Sequence, residues 1–161
     1  MEVKNYKYNS DNTASFTPRP HSFVALMDMY EANYIRLRLF CGDIRKLPDE
    51  SVSQVVDGVP VQLTVLERSN HTTLLMLTYL FEEDGRRPDL KIQIYHDSRQ
   101  ADVVSRNCRI SGRDMRIWEK EFDSMLVCRW RLNRFLNKWL GYLDYQGHSF
   151  TSSNSKNIGY K

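Results

Sequence analysis

Apolar residues first recur at a helical spacing between residues 21 and 42. In HSFVALMDMYEANYIRLRLFCG, apolar positions are separated by four, three, four and three residues, which is the spacing of one face of an α-helix. The stripe consists of Phe23, Met27, Tyr30, Tyr34 and Leu37. Gly42 follows it, and glycine is typical just after a helix end. The pattern predicts an N-terminal helix that buries this stripe and stops at Gly42.

Between residues 51 and 104 the apolar spacing falls to two, as in strands with one buried face. The alternating positions are Val61, Leu63, Val65; Leu75, Leu77, Tyr79, Phe81; Leu90, Ile92, Ile94; Ala101 and Val103. Asp57-Gly58 is a typical hairpin turn. The connections are too short for crossover helices, so the pattern predicts an antiparallel sheet.

A second helical pattern covers about Ser124 to Tyr145, and Gly147 is its predicted stop. Its apolar face consists of Met125, Cys128, Leu132, Phe135, Leu136, Trp139 and Leu143. The preceding stretch, RNCRISGRDMRIWEKEF, has weak periodicity. We predict a loop with one short irregular element there.

These elements together predict an α+β fold. An antiparallel meander sheet of about five strands is covered on one face by an N-terminal and a C-terminal helix. The length of 161 residues fits a single domain. We expect a flexible N-terminal lead over residues 1–20, one domain over 21–147, and a disordered, Ser/Asn-rich tail over 148–161.

The composition, 41% hydrophobic and 27% charged, is ordinary for a soluble globular protein. Apolar runs are shorter than the roughly 20 residues of a membrane span, and the N-terminus lacks the apolar core of a secretory signal. Cys41, Cys108 and Cys128 are odd in number and widely separated, so we expect reduced thiols and a cytoplasmic location. Because no apolar run is long enough to span a bilayer, we expect no membrane partner. We expect no metal and no cofactor, since the chain lacks the motifs that bind them.

Charge is distributed unevenly along the chain. Residues 1–105 have 12 Lys and Arg against 15 Asp and Glu, whereas residues 106–161 have 11 against 5. On the last helix a basic, tyrosine-tipped arc lies beside the apolar face. It consists of Arg131, Arg134, Lys138, Tyr142 and Tyr145. The arc suits carboxylates and phosphates, although side chains that snorkel along a solvated helix flank give the same pattern.

Trp130 projects away from the apolar face of the same helix. Either the preceding loop covers it, or it is an exposed anchor for a partner.

Tyr95-His96-Asp97 stands between two alternating runs and raises the question of catalysis. Adjacent strand residues point to opposite faces, so His96 and Asp97 need Glu67 or His71 from elsewhere to form an acid–base or metal site. In a simple meander, the turns after Arg68 and after Asp97 lie at the same end of the sheet. The alternative is structural: the segment is the tip of a hairpin, and Asp97 bonds the backbone of the turn.

Four stretches resemble one protein family: YEANYIRLRLF, VQLTVLERSNHTTLLMLTY, LKIQIYHDSRQADV and LNRFLNKWLGYL. They are similar to the YqiB-like family of small proteobacterial proteins, a domain of unknown function. The chain departs from that family between Cys108 and Cys128, at the start of the last helix. The resemblance implies a fold and a bacterial cytoplasm, but no activity, cofactor or catalytic residue.

The sequence thus favours a non-catalytic binding or regulatory module for a protein or a small acidic ligand. The expected contact residues are Arg131, Arg134, Lys138, Tyr142 and Trp130. One alternative is a hydrolase-like enzyme that uses His96, Asp97 and Glu67. A second is weak binding of RNA or a nucleotide through the basic last helix.

Overall fold

The computed structural model of the chain describes residues 22–83, 85–105, 108 and 115–151, and for residues 115–122 it describes the backbone alone. Its two α-helices are α1, Phe23–Cys41, and α2, Met115–Gln146, and a 3₁₀ turn covers Ile44–Lys46. The strands are β1 Glu50–Ser53, β2 Val61–Arg68, β3 Thr72–Phe81, β4 Gly85–Tyr95 and β5 Gln100–Val103.

The five strands form one antiparallel sheet in the order β1-β2-β3-β4-β5. This confirms the predicted α+β meander. Alternate residues of each strand are buried, as at Leu75 and Leu77 or Ile92 and Ile94, so one face of the sheet supplies the core. Burying each of these side chains contributes about 1.5–3 kcal/mol.

Both helices pack against that core, but their buried stripes differ from the predicted ones. In α1 the buried residues are Leu26, Tyr30, Asn33, Leu37, Phe40 and Cys41. Phe23, which was expected in the stripe, is exposed, and Met27 and Tyr34 are only partly buried. In α2 Phe135 is likewise exposed, although it was expected to be buried.

The helix ends follow local rules. The Ser22 hydroxyl accepts a hydrogen bond from the Ala25 amide at 3.1 Å, a typical N-cap, and the Gly42 amide donates to the Arg38 carbonyl at 2.9 Å. Gly42 and Gly147 both have positive φ, which glycine adopts without strain. Helix α2 begins at Met115, inside the stretch predicted to be a loop, so that prediction is wrong for residues 115–122.

The ordered chain also continues beyond the predicted end of the domain. His148 and Phe150 are buried, and the Phe150 amide donates to the Phe40 carbonyl at 2.8 Å. The domain therefore reaches at least Phe150, whereas the predicted lead and residues 152–161 lie outside the described residues. Neither helix, as far as the chain is described, has the length and apolar character to cross a membrane.

Helices α1 and α2 lie side by side and run in the same direction. Leu26 and Tyr30 pack against Leu126 and Trp130 near the start of the pair. Further along, the Asn33 side-chain amide donates to the Asn133 carbonyl at 3.1 Å. One edge of α2 thus faces α1, another faces the sheet, and a third remains outside.

Candidate functional site

The outside of α2 carries a surface that we call the basic face, defined as Arg131, Arg134, Lys138, Tyr142 and Tyr145. All five side chains are exposed, including Tyr142 at 54% and Tyr145 at 88%. They fall within about 80° of the helix circumference. The buried residues of the helix point elsewhere, so the predicted arc is a continuous solvent-facing surface.

The cations of the basic face have no acidic partner among the described residues. Within the described part of the chain, no carboxylate lies at ion-pair distance from Arg131, Arg134 or Lys138. The guanidinium carbon of Arg134 instead lies 4.9 Å from the ring centroid of Trp130, a cation–π contact that holds this side chain on the surface. The positive charge of the face is therefore not neutralised by a carboxylate of the described residues.

A fourth cation reaches this surface from α1. A β-carbon built on Gly141 would lie 3.1 Å from an Arg36 guanidinium nitrogen. The absence of a side chain at Gly141 lets the Arg36 guanidinium approach α2 closely at this position. A glycine inside a helix costs about 1 kcal/mol relative to alanine, and the flexible end of the Arg36 side chain occupies the space beside this one.

Trp130 is not part of the exposed surface. Its side chain is 9% exposed and packs with Leu26, Tyr30 and Leu126 between the two helices. The exposed-anchor alternative is therefore wrong, because α1 covers this side of α2. The structure gives Trp130 a different role, since its ring supports Arg134.

An exposed aromatic that the sequence analysis placed in the core adjoins the basic face instead. Phe135 is 47% exposed and borders a groove of about 530 Å³ on the surface of α2. The residues that line the groove are Asp123, Ser124, Val127, Cys128, Arg131, Leu132 and Phe135. Apolar and basic side chains thus meet at Arg131.

The turns that carry the histidines lie at one end of the sheet, where the meander places them. The His96 amide donates to the His71 carbonyl at 2.9 Å. His71 Nδ1 lies 2.7 Å from an Asp97 carboxylate oxygen, and both side chains are largely exposed. Asp97 thus joins two neighbouring turns.

His96 itself contacts the core side of the sheet. Its Nε2 lies 2.8 Å from the Thr73 hydroxyl. Partial burial, followed by the charge of Arg45, lowers the pKa of His96 below its ordinary value. The ring is therefore neutral at pH 7 and hydrogen-bonded.

Glu67 does not join these residues. It pairs with Leu74, the neighbour of Thr73, and consecutive strand residues point to opposite faces. Since His96 contacts Thr73, Glu67 and His96 lie on opposite faces of the sheet. The described residues also contain no group of three His, Cys, Asp or Glu side chains placed to hold a metal ion.

A buried polar network, which the sequence analysis missed, connects β5 to both helices. An Arg129 guanidinium nitrogen lies 2.6 Å from Asp102, and the Asn133 amide donates to the other Asp102 oxygen at 2.9 Å. The Asn133 side-chain oxygen accepts from the Val103 amide at 3.0 Å. Burial lowers the pKa of Arg129, but the charges and hydrogen bonds of Asp102 and Tyr30 together outweigh this effect and raise that pKa. The network holds β5 against α2.

The cysteines differ from the expectation. Cys108 and Cys128 form a disulfide, with their Cα atoms 5.9 Å apart, so the prediction of three reduced thiols is wrong for this pair. Sequence spacing could not reveal the pairing, because it depends on where the chain after β5 meets α2. Cys41 is a buried free thiol, and burial raises its pKa to about 12.

The fold and the basic face define an α+β protein with two parallel helices over a five-stranded antiparallel meander. Residues 36–149 match the model of a family described as a protein of unknown function, DUF1249. The chain belongs to that family. Comparison with curated proteins and with solved structures gives no match.

Proposed function

We propose that this protein is a non-catalytic binding module whose basic face contacts an acidic surface of another protein. The observation that supports this most is the exposure of three cations, without acidic partners in the described chain, beside two exposed tyrosines. Arg and Tyr are also the side chains most enriched in the energetically dominant parts of protein interfaces.

The shape of the surface favours a protein over a small acidic ligand. Small ligands bind in concave sites that bury most of their surface. The basic face lies on the convex side of one helix, and Arg36 extends it sideways. A partner of matching size can pair with several cations at once, whereas a small acid cannot.

The two alternatives receive less support. A hydrolase-like site needs His96, Asp97 and Glu67 together, and the strand register separates Glu67 from His96. Binding of RNA or a nucleotide would use the same cations, with tyrosines that stack on bases. The exposed Phe135 beside Arg131 favours the apolar and basic mixture of a protein contact.

A bacterial cytoplasm and kinship with the YqiB-like proteins remain part of this proposal. They are supported by the resemblance of the sequence. The Cys108–Cys128 disulfide does not oppose a cytoplasmic location if it is transient, as cytoplasmic disulfides usually are.

The test compares two charge-reversed variants by fluorescence polarisation. Arg131→Glu with Lys138→Glu reverses the basic face and leaves Arg134 on Trp130. Lys46→Glu with Lys91→Glu makes the same charge change at exposed sites elsewhere. The probes are a labelled ten-residue glutamate peptide and a labelled ten-nucleotide uridine RNA.

The wild type and the control should bind the peptide in a salt-dependent way, and the basic-face variant should bind at least about tenfold more weakly. An equal loss of affinity for the peptide in both variants would contradict the assignment of the binding surface to the basic face. Much tighter binding of the RNA than of the peptide would favour the nucleic-acid alternative.

A further inference from the structure

The Cys108–Cys128 disulfide is accessible from one side only. Cys108 is buried, whereas Cys128 is partly exposed on α2. Cys128 also lines the surface groove next to Phe135, and Cys108 does not. A thiol in solution therefore reaches the bond at the sulfur of Cys128.

Among the described residues, the groove is lined by α2 alone and is open to solvent, so a small thiol can approach Cys128 through it. Its volume of about 530 Å³ lies within the range of roughly 300–1,000 Å³ that small molecules occupy. Val127, Leu132 and Phe135 give it an apolar surface beside the sulfur. A compact thiol fits this space.

The charge beside Cys128 selects the kind of thiol. Arg131 follows Cys128 by three residues, so the two side chains are neighbours on the helix, with β-carbons about 5–6 Å apart. Asp123, the other charged residue of the groove, precedes Cys128 by five residues and points about 140° away from it. An incoming thiolate therefore meets a positive charge next to the sulfur it attacks.

We propose that Cys128 is a thiol-exchange site for a small thiol that carries a carboxylate or sulfonate group. The thiolate of this molecule attacks the Cys128 sulfur, and a new S–S bond forms between them. The bond to Cys108 breaks, and Cys108 leaves as a thiolate that takes a proton from water. The product is a mixed disulfide on Cys128 and a free thiol at Cys108, with no further oxidant or reductant. This inference does not depend on the proposed partner.

The experiment treats the full chain, oxidised in air and without denaturant, with three thiols of different charge. These are mercaptoethanesulfonate, mercaptoethanol and cysteamine, at matched thiolate concentrations in 0.1 M salt. Acid quenching and intact mass give the rate of mixed-disulfide formation, and peptide mapping locates the adduct. The anionic thiol should react with Cys128 about twofold to threefold faster than the neutral thiol, and the cationic thiol more slowly.

Two variants separate a local charge effect from a general one. Arg131→Glu should reverse the order of the anionic and cationic thiols. Lys138→Glu makes the same charge change about 15 Å along the helix from Cys128, beyond the Debye length of about 10 Å, and should keep the wild-type order.

Four results would overturn the proposal. The first is three free thiols in the air-oxidised chain, and the second is an adduct on Cys108. The third is formation of the mixed disulfide only when denaturant is present. The last is an unchanged order of rates in Arg131→Glu.

Discussion

Asn133 offers the strongest test of how this fold holds together. It is fully buried at 0% exposure, and its side chain links β5, α2 and, through Asn33, α1. Its oxygen accepts from the Val103 amide at 3.0 Å, and its amide donates to Asp102 and to the Arg129 carbonyl, each at 2.9 Å. Because β5 is the last strand of the sheet, the Val103 amide has no strand beyond it to bond. The Asn133 side-chain oxygen supplies the acceptor that a further strand would otherwise provide.

The cost of Asn133→Ala can be worked out from these bonds. The Val103 amide and one Asp102 oxygen would each remain buried without this partner, at about 1–3 kcal/mol each. Because alanine has a higher helix propensity than asparagine, the substitution offsets a few tenths of a kcal/mol of this loss in stability. The expected loss is about 2–5 kcal/mol, a large fraction of the roughly 5–15 kcal/mol that keeps a domain folded.

Urea unfolding, followed by circular dichroism, measures this loss. Asn137→Ala is the matched control, since Asn137 lies one turn further on α2, is partly exposed and makes no hydrogen bond within the described chain. With a denaturant slope of about 2 kcal/mol/M, Asn133→Ala should lower the midpoint by roughly 1–2.5 M, and Asn137→Ala should barely move it. Equal midpoints for the two variants would refute the bridging role of Asn133.

Three further expectations concern other positions. Gly141→Ala should stabilise α2 by about 0.5–1 kcal/mol in urea unfolding, because the flexible end of Arg36 can move away from the added methyl group; a loss would contradict this. Burial lowers the pKa of His148, so its contribution to stability is complete above about pH 6.5 and is lost as the pH falls below that value. The melting temperature should drop between pH 7.5 and pH 5.5, and by less in His148→Gln. Asp97→Ala should cost at most about 1 kcal/mol in thermal unfolding, since its pair with His71 is exposed; a larger loss would point to a buried role.

The sheet could be predicted because its signals are local. Side-chain alternation is a property of a few consecutive residues, as at Leu75 and Leu77, and short connections permit only antiparallel neighbours. The helix ends at Gly42 and Gly147 were predictable for the same reason, since positive φ is a local demand on one residue.

The buried polar network could not be predicted, because it depends on residues far apart in the chain. Asn33 and Asn133 are separated by 100 positions and meet only after the helices pack. Each stands in a helical stripe where an apolar residue is the usual choice. Asp102 alternates with Ala101 and Val103, and a strand pattern therefore assigns it to solvent.

The buried stripe of α2 escaped prediction for a related reason. Near its start the helix packs on α1 through Leu126 and Trp130, and further along it packs on the sheet through Leu136 and Leu143. These two contacts lie about 100° apart around the helix. A prediction that assumes one apolar face combines these two contacts into one, and it therefore assigned the exposed Phe135 to the core.

The aromatics of the basic face, more than its charges, argue that the surface has a binding role. Arg131 and Lys138 occupy the arc of α2 that neither α1 nor the sheet covers, and charged residues there are sufficiently explained by solvation. Tyr145, at 88% exposure, gains little from burial, and Phe135 and Tyr142 leave about half of their surface in solvent, so stability explains these rings only in part. Single exposed aromatics are common, but three on one side of one helix, beside cations that have no acidic partner among the described residues, form a patch. Contact with a partner would bury these rings and neutralise the charges at the same time. One binding event would therefore account for both the exposed aromatics and the exposed cations.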